Sequence, residues 1–169
     1  MGTYADMMSR LVLTVTSPDG AVTATLSERD RLSIVFRPGA CDFYAEEPDL
    51  LERQIAGLAK LVWTGRRRAS LAALSEALGR EVTGREEADS PRRRSFVAAR
   101  DTFDLVGSSA QRHITLRTKG WLRWRVDIAD GSLDRLAEES FSDELGSALR
   151  ALLDDYGAKT ASLRDEIYA

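Results

Sequence analysis

Residues 11–37 read LVLTVTSPDGAVTATLSERDRLSIVFR, and this stretch decides the fold class. Leu11 to Thr16 is rich in β-branched residues, which suit a half-buried pleated strand. Ser17-Pro18-Asp19-Gly20 is a turn, because Pro18 presets φ at its second position and Gly20 accepts the closing conformation. A second strand is predicted over Ala21 to Leu26, a polar turn over Ser27 to Asp30, and a third strand over Arg31 to Arg37. In the third strand Leu32, Ile34 and Phe36 share one face, while Arg31, Ser33 and Arg37 share the other. Three strands joined by tight turns make an antiparallel meander.

Downstream, Pro38-Gly39 ends the meander and Pro48 suits the first turn of a helix. Leu51, Ile55, Leu58 and Val62 recur on one helical face, so a helix runs to at least Trp63. Gly65 and the Arg66-Arg67-Arg68 run predict an interruption, followed by a shorter helix from Ser70 to Leu78 that stops at Gly79. Residues 80–95 are charged, contain Gly84 and Pro91, and read as a linker. Residues 96–107 fit a helix or a strand.

The pattern then recurs. His113 to Thr118 reads as a strand, and so does Trp121 to Ile128. In the latter, Leu122, Trp124, Val126 and Ile128 point inward and Trp121, Arg123, Arg125 and Asp127 outward. Ala129-Asp130-Gly131 is a turn, and Ser132 to Leu136 a weak third strand. Ser140 with Asp143 resembles a capping box, opening a helix to about Ile167. Its face begins Leu145, Leu149, Leu152, Tyr156, the spacing of Leu51 to Val62.

The expected fold is therefore α+β with two β-β-β-α repeats: residues 1–79, a charged linker at 80–95, and residues 96–169. One meander with one helix cannot cover both its faces and both its edges. The halves could complete each other as a pseudo-dimer within one globule, their meanders joining edge to edge with both helices on one side; the alternative is a single irregular α+β domain.

Composition excludes several classes. The 169 residues carry 24 Lys+Arg against 27 Asp+Glu, a net charge of -3, with 43% hydrophobic residues. That suits a globular chain and no collagen-like or disordered one. Cys41 is the only cysteine, so no internal disulfide forms. No apolar run reaches the ~18 residues of a spanning helix, and residues 1–10 lack a signal-peptide pattern, so a cytoplasmic protein is expected. Only Lys60, Lys119 and Lys159 are lysines, an arginine bias that looks like a high-GC genome.

The stretch LTVTSPDGAVTATLSERDRLSIVF, followed by PDLLERQIAGLAKLVWTGRRRA, resembles the YbaB/EbfC family of small nucleoid-associated proteins. It is also similar to the YbaB-like region of actinobacterial accessory proteins linked to type VII secretion, matching at Thr14, Val15, Thr16, Ser17 and Pro18. The likeness covers about residues 11–70 and, more weakly, 112–160. It implies an α+β sheet that dimerises and, in the nucleoid branch, binds DNA. The family has a long helix before its first strand, whereas the ten residues before Leu11 show no helical stripe.

Catalytic chemistry finds no support. His113 is the only histidine, and no nucleophile motif or phosphate-cradling P-loop accompanies it. One His and one Cys are too few for a zinc site, so no enzyme, metal, cofactor or small-molecule substrate is expected. Arg112 to Arg125 holds five basic residues and no acid. Arg117, Lys119, Trp121, Arg123 and Arg125 form a candidate nucleic-acid face, with cations for phosphate and an aromatic for stacking. Residues 127–169 hold 11 acids against 4 bases, so the last helix is expected to lie near that face and neutralise part of it. The last helix also extends its stripe beyond what three strands cover. Leu152, Tyr156, Leu163 and Ile167 are candidate partner-binding residues, for another protein or a second copy. The expected function is a non-enzymatic interaction or chaperone-like accessory module serving type VII secretion. The alternative is a DNA-binding protein using the basic hairpin.

Overall fold

The computed structural model describes residues 2–27, 30–86 and 88–169; residues 28 and 29 of the predicted turn and residue 87 of the linker lie outside it. The elements are α1 (Tyr4–Ser9), β1 (Leu13–Thr16), β2 (Val22–Ser27), β3 (Arg31–Phe36), α2 (Ala40–Glu46) and α3 (Pro48–Leu78), then α4 (Pro91–Arg100), β4 (Asp104–Ser108), β5 (Ile114–Lys119), β6 (Arg123–Ile128), α5 (Ser132–Arg135) and α6 (Glu138–Tyr168). The fold is α+β, and one succession occurs twice: short helix, antiparallel meander, short helix, 31-residue helix.

Hydrogen bonds fix the correspondence of the repeats. Ser17 and Ser109, 92 positions apart, are both buried after the first strand of a meander. Each amide donates to the carbonyl of Val22 or Ile114, and each Oγ accepts that residue's amide. Gly39 and Gly131 have the same separation; both adopt left-handed φ, 82° and 75°, and open α2 and α5. The long helices are offset by 90, so Leu51 corresponds to Phe141 and Ile55 to Leu145. Leu145 thus matches the second residue of the α3 stripe, where sequence spacing alone matched it to the first.

Several elements differ from expectation. α3 is continuous through Gly65, which lies beneath Leu13, whose methyl is 3.4 Å from where a Cβ would stand. One interior glycine costs about 1 kcal/mol in a helix, which packing along 31 residues outweighs. A helix does precede the first strand: α1, capped reciprocally by Thr3 and Asp6, packs on α3, with Tyr4 Oη 2.7 Å from Ser70 Oγ. Part of the linker and the ambiguous stretch form α4 and then β4. Ser132 to Leu136 holds α5 instead of a third strand, because left-handed Gly131 turns the chain out of extension. α6 starts at Glu138 after Ala137, so Ser140 lies inside it and does not cap it.

The meanders remain two separate three-stranded sheets. Side chains from the long helices close the edges where they would have joined. Ser142 Oγ accepts the Ile34 amide at 2.9 Å and Glu138 Oε1 that of Phe36 at 2.8 Å. Glu52 Oε2 accepts the Ile128 amide at 3.2 Å. Each long helix packs on its own sheet and on the last strand of the other: α3 on β1, β2 and β6, α6 on β4, β5 and β3. The halves therefore share one apolar core, with Val22, Tyr44 and Leu51 from the first and Ile114, Phe141 and Leu152 from the second. The inner face of each sheet is covered, and the outer faces meet solvent.

Candidate nucleic-acid interface

The outer face of the second sheet is built by strand alternation. Ile114, Leu116 and Thr118 of β5 point into the core, so Arg117 and Lys119 point out. Val126 of β6 is buried and Trp124 half-buried, so Arg123 and Arg125 point out. Register then sets Arg117 opposite Arg125 and Lys119 opposite Arg123. Like charges directly opposite across strands are destabilising, so the fold keeps these two pairs against a local cost.

Two acids offset that cost in part: one is Asp104 of β4, opposite Lys119 on its other side, and the second is Asp127. Asp127 lies 3.2 Å from Arg125 Nε and 3.9 Å from Arg117 Nε, but these arginine side chains are 76% and 58% exposed. Exposed pairs of this kind are worth at most about 1 kcal/mol. Among the described residues, Lys119 and Arg123 have no ion-pair partner. The α6 acids do not neutralise the face. Glu138 is used at the β3 edge and Glu144 at Gln111, while Asp155 receives the Val106 amide and holds Lys159 at 3.0 Å. Lys159, whose Nζ also donates to the Asp104 carbonyl, joins the rim of the groove along β4–β6. Sequence reading missed Lys159; its signal was Asp155 four positions earlier on one helical face.

Trp121 is not part of the face. Lys119 and Arg123 are the last pair of the hairpin, so Trp121 belongs to the loop Gly120-Trp121-Leu122 and escapes strand alternation. With φ at 61° its indole turns inward and stacks on Trp63, with centroids 3.9 Å apart and planes 10° apart. Leu122, expected inside, is 70% exposed.

The expected partner-binding stripe is also largely covered. Leu152 is fully buried in the shared core. Tyr156 packs edge-on against Trp121 and Phe103. Leu163 and Ile167 are half-buried on α6, against which α4 packs, with Phe96 beside Tyr168. The reason is α4, which sequence reading left partly in the linker and which occupies the overhang.

His113 Nδ1 lies 3.0 Å from the Oγ of buried Ser132 and holds the turn into α5. Burial, with the charges of Glu138 and Asp42, raises the Cys41 thiol pKa, which disfavours the thiolate. No group of three or more metal-ligating side chains gathers among the described residues, and none of the helices is long and apolar enough to cross a membrane.

The first sheet offers a less basic counterpart, with Arg31 where Arg123 stands and Ser27 where Lys119 stands. Thr25 and Ser33 stand where Arg117 and Arg125 stand, and with Thr14, Thr16 and Thr23 they make a hydroxyl-rich face. No family model, curated protein or solved structure matches the chain.

Proposed function

We propose that the chain works by binding, without catalysis, and that its ligand is the phosphate backbone of duplex DNA. The observation that carries this is the two pairs of opposed like charges, Arg117 with Arg125 and Lys119 with Arg123, on a solvent-facing sheet. A polyanion relieves that repulsion and releases its own counterions. Withdrawal of Trp121 removes the stacking platform that single strands favour, so the reading narrows to duplex. The YbaB/EbfC resemblance points the same way. Fluorescence anisotropy with a duplex at two salt concentrations tests it. Four phosphate contacts give a log–log salt slope of about -3.6. Arg123→Glu/Arg125→Glu abolishes binding; no binding by the wild type at low salt overturns the reading.

A second reading keeps the protein-interaction module, and the hydroxyl-rich face of the first sheet, with Arg31 its one β-strand cation, favours it. Two repeats with the same frame and different faces suit an adaptor that engages two dissimilar surfaces. Service to type VII secretion, in the cytoplasm, rests on the resemblance alone. Thr25→Arg/Ser33→Arg tests this reading: it leaves duplex binding through the second sheet intact and abolishes capture of a protein partner.

A further inference from the structure

The tip of the β5–β6 hairpin is built with unusual constraint. Gly120 has φ of 57°, its amide donates to the Phe103 carbonyl at 3.0 Å, and an added Cβ would stand 2.5 Å from the Asp101 carbonyl oxygen. Trp121 adopts a left-handed φ that side chains other than glycine rarely accept. The stack on Trp63 and the Trp124 indole, which donates to the Trp121 carbonyl at 2.9 Å, hold it there. The Leu122 amide donates to the Lys119 carbonyl and closes the turn.

All of this fixes Leu122 outward. At 70% exposure it is the most exposed large apolar side chain among the described residues, and Lys119 and Arg123 flank it. A rigid ribbon ending in an apolar side chain between two cations matches the device that opens a base step from the minor groove.

We propose that Leu122 is a wedge, entering the minor groove of a bound duplex, parting one base step and bending the DNA there. The proposal rests on the duplex-binding reading above. An anionic membrane is the other surface that a basic, apolar tip suits. A membrane touched only at the tip would leave Arg117 and Arg125, which continue the cationic track back along both strands, unused. A phosphate backbone engages all four.

The test is a duplex of about three helical turns, end-labelled for resonance energy transfer, with affinity read by anisotropy. Wild type brings the ends together, within the range of about 20–90° that wedge residues produce. Leu122→Ala binds about tenfold more weakly, as expected on losing most of one buried leucine, leaves the duplex straight and keeps the salt slope. Because Leu122 is exposed, the variant melts like wild type. If Leu122→Ala bends and binds DNA as wild type does, the wedge is overturned while duplex binding stands. If wild type binds no duplex, both readings fall. Leu122-dependent binding to phosphatidylserine vesicles, with no bending of DNA, overturns the wedge in favour of a membrane contact.

Discussion

Glu144 holds in the second repeat the position that Gln54 holds in the first. Each reaches from a long helix to the turn after its first strand: Gln54 Oε1 accepts the Asp19 amide at 3.0 Å, and Glu144 Oε1 accepts the Gln111 amide at 3.4 Å. Glu144 is only 7% exposed, and its Oε2 has no partner among the described residues. A buried carboxylate with one long hydrogen bond carries a desolvation cost that an amide does not. Glu144→Gln, which restores the first repeat's solution, is expected to stabilise the protein by about 1 kcal/mol. Urea unfolding at neutral pH checks this; a variant no more stable than wild type refutes it.

Two glycines give opposite predictions. An added Cβ on Gly107 in β4 would stand 2.3 Å from the Ala148 carbonyl and the Leu152 amide of α6, so the helix backbone lies directly on this strand. Gly107→Ala is expected to cost about 2–4 kcal/mol through forced separation of strand and helix. Gly157, an exposed position inside α6, meets nothing within 4 Å, and Gly157→Ala is expected to add about 0.5–1 kcal/mol by helix propensity alone. Thermal melts of both variants read the contrast.

Gly107 also shows why the repeat is faint in the residues. Its counterpart is Val15, since β1 does not need so close a helix. Pairs have changed together as well. Pro18 packs on Gly57 in the first repeat, whereas the equivalent Ala110 donates its amide to Ser147 Oγ at 3.0 Å in the second. A proline has no amide to give and needs a small neighbour; an alanine has one and needs an acceptor. Alternation and turn chemistry made β1–β3, β5 and most of β6 legible, because those signals are local. Arg117, Arg123 and Arg125 followed from the same alternation; Lys119, read as part of the turn, is the last residue of β5. Trp121 and Leu122 did not follow from it, because a three-residue hairpin replaces the period of two with loop geometry. β4 was hidden by its glycine, and the length of α3 by Gly65 and three arginines, whose tolerance depends on neighbours far along the chain.

Acid sensitivity is expected to centre on Asp19. Burial pushes its carboxyl up, but hydrogen bonds from Ser17, Tyr44 and the Ala21 amide, with the charge of Arg37, outweigh that and hold the pKa below the ordinary carboxylate range. Tyr44, fully buried, donates its phenol to Asp19, and its own pKa is raised by burial first and by that carboxylate second. A carboxyl with a lowered folded pKa stabilises above its unfolded pKa and loses that contribution as pH falls through the folded value. Tyr44→Phe removes one of the bonds, so Asp19 moves back toward its unfolded pKa. The variant is expected to be about 1 kcal/mol less stable at pH 7, and to lose less than wild type between pH 5 and about 2. Urea midpoints across that range decide it. An acid limb as steep as that of wild type would show that other carboxylates dominate.

The clasp between the repeats gives the last prediction, because its members differ in chemistry. Ser142 bonds a buried amide, that of Ile34, at 2.9 Å. Ser142→Ala leaves that donor unpaired, at a cost of about 1–3 kcal/mol, and opens the edge of β3 to pairing with another chain. Loss of stability together with concentration-dependent light scattering is the expected outcome. Glu52, the clasp on β6, behaves differently. Burial raises its pKa, the Ile128 amide opposes the rise, and the charges of Asp127 and Asp49 add to it. With a folded pKa above the unfolded one, the folded state holds the proton longer, so this group favours folding most at acid pH. The contribution fades as pH climbs from the unfolded pKa through the folded one. Glu52→Gln keeps an acceptor for Ile128 and removes the titration. Its stability is expected to exceed that of wild type at neutral pH and to lack the decline that Glu52 contributes on leaving acid. A neutral-pH loss in Glu52→Gln as large as that in Ser142→Ala would show that the carboxylate's charge, and not its acceptor oxygen, closes the β6 edge.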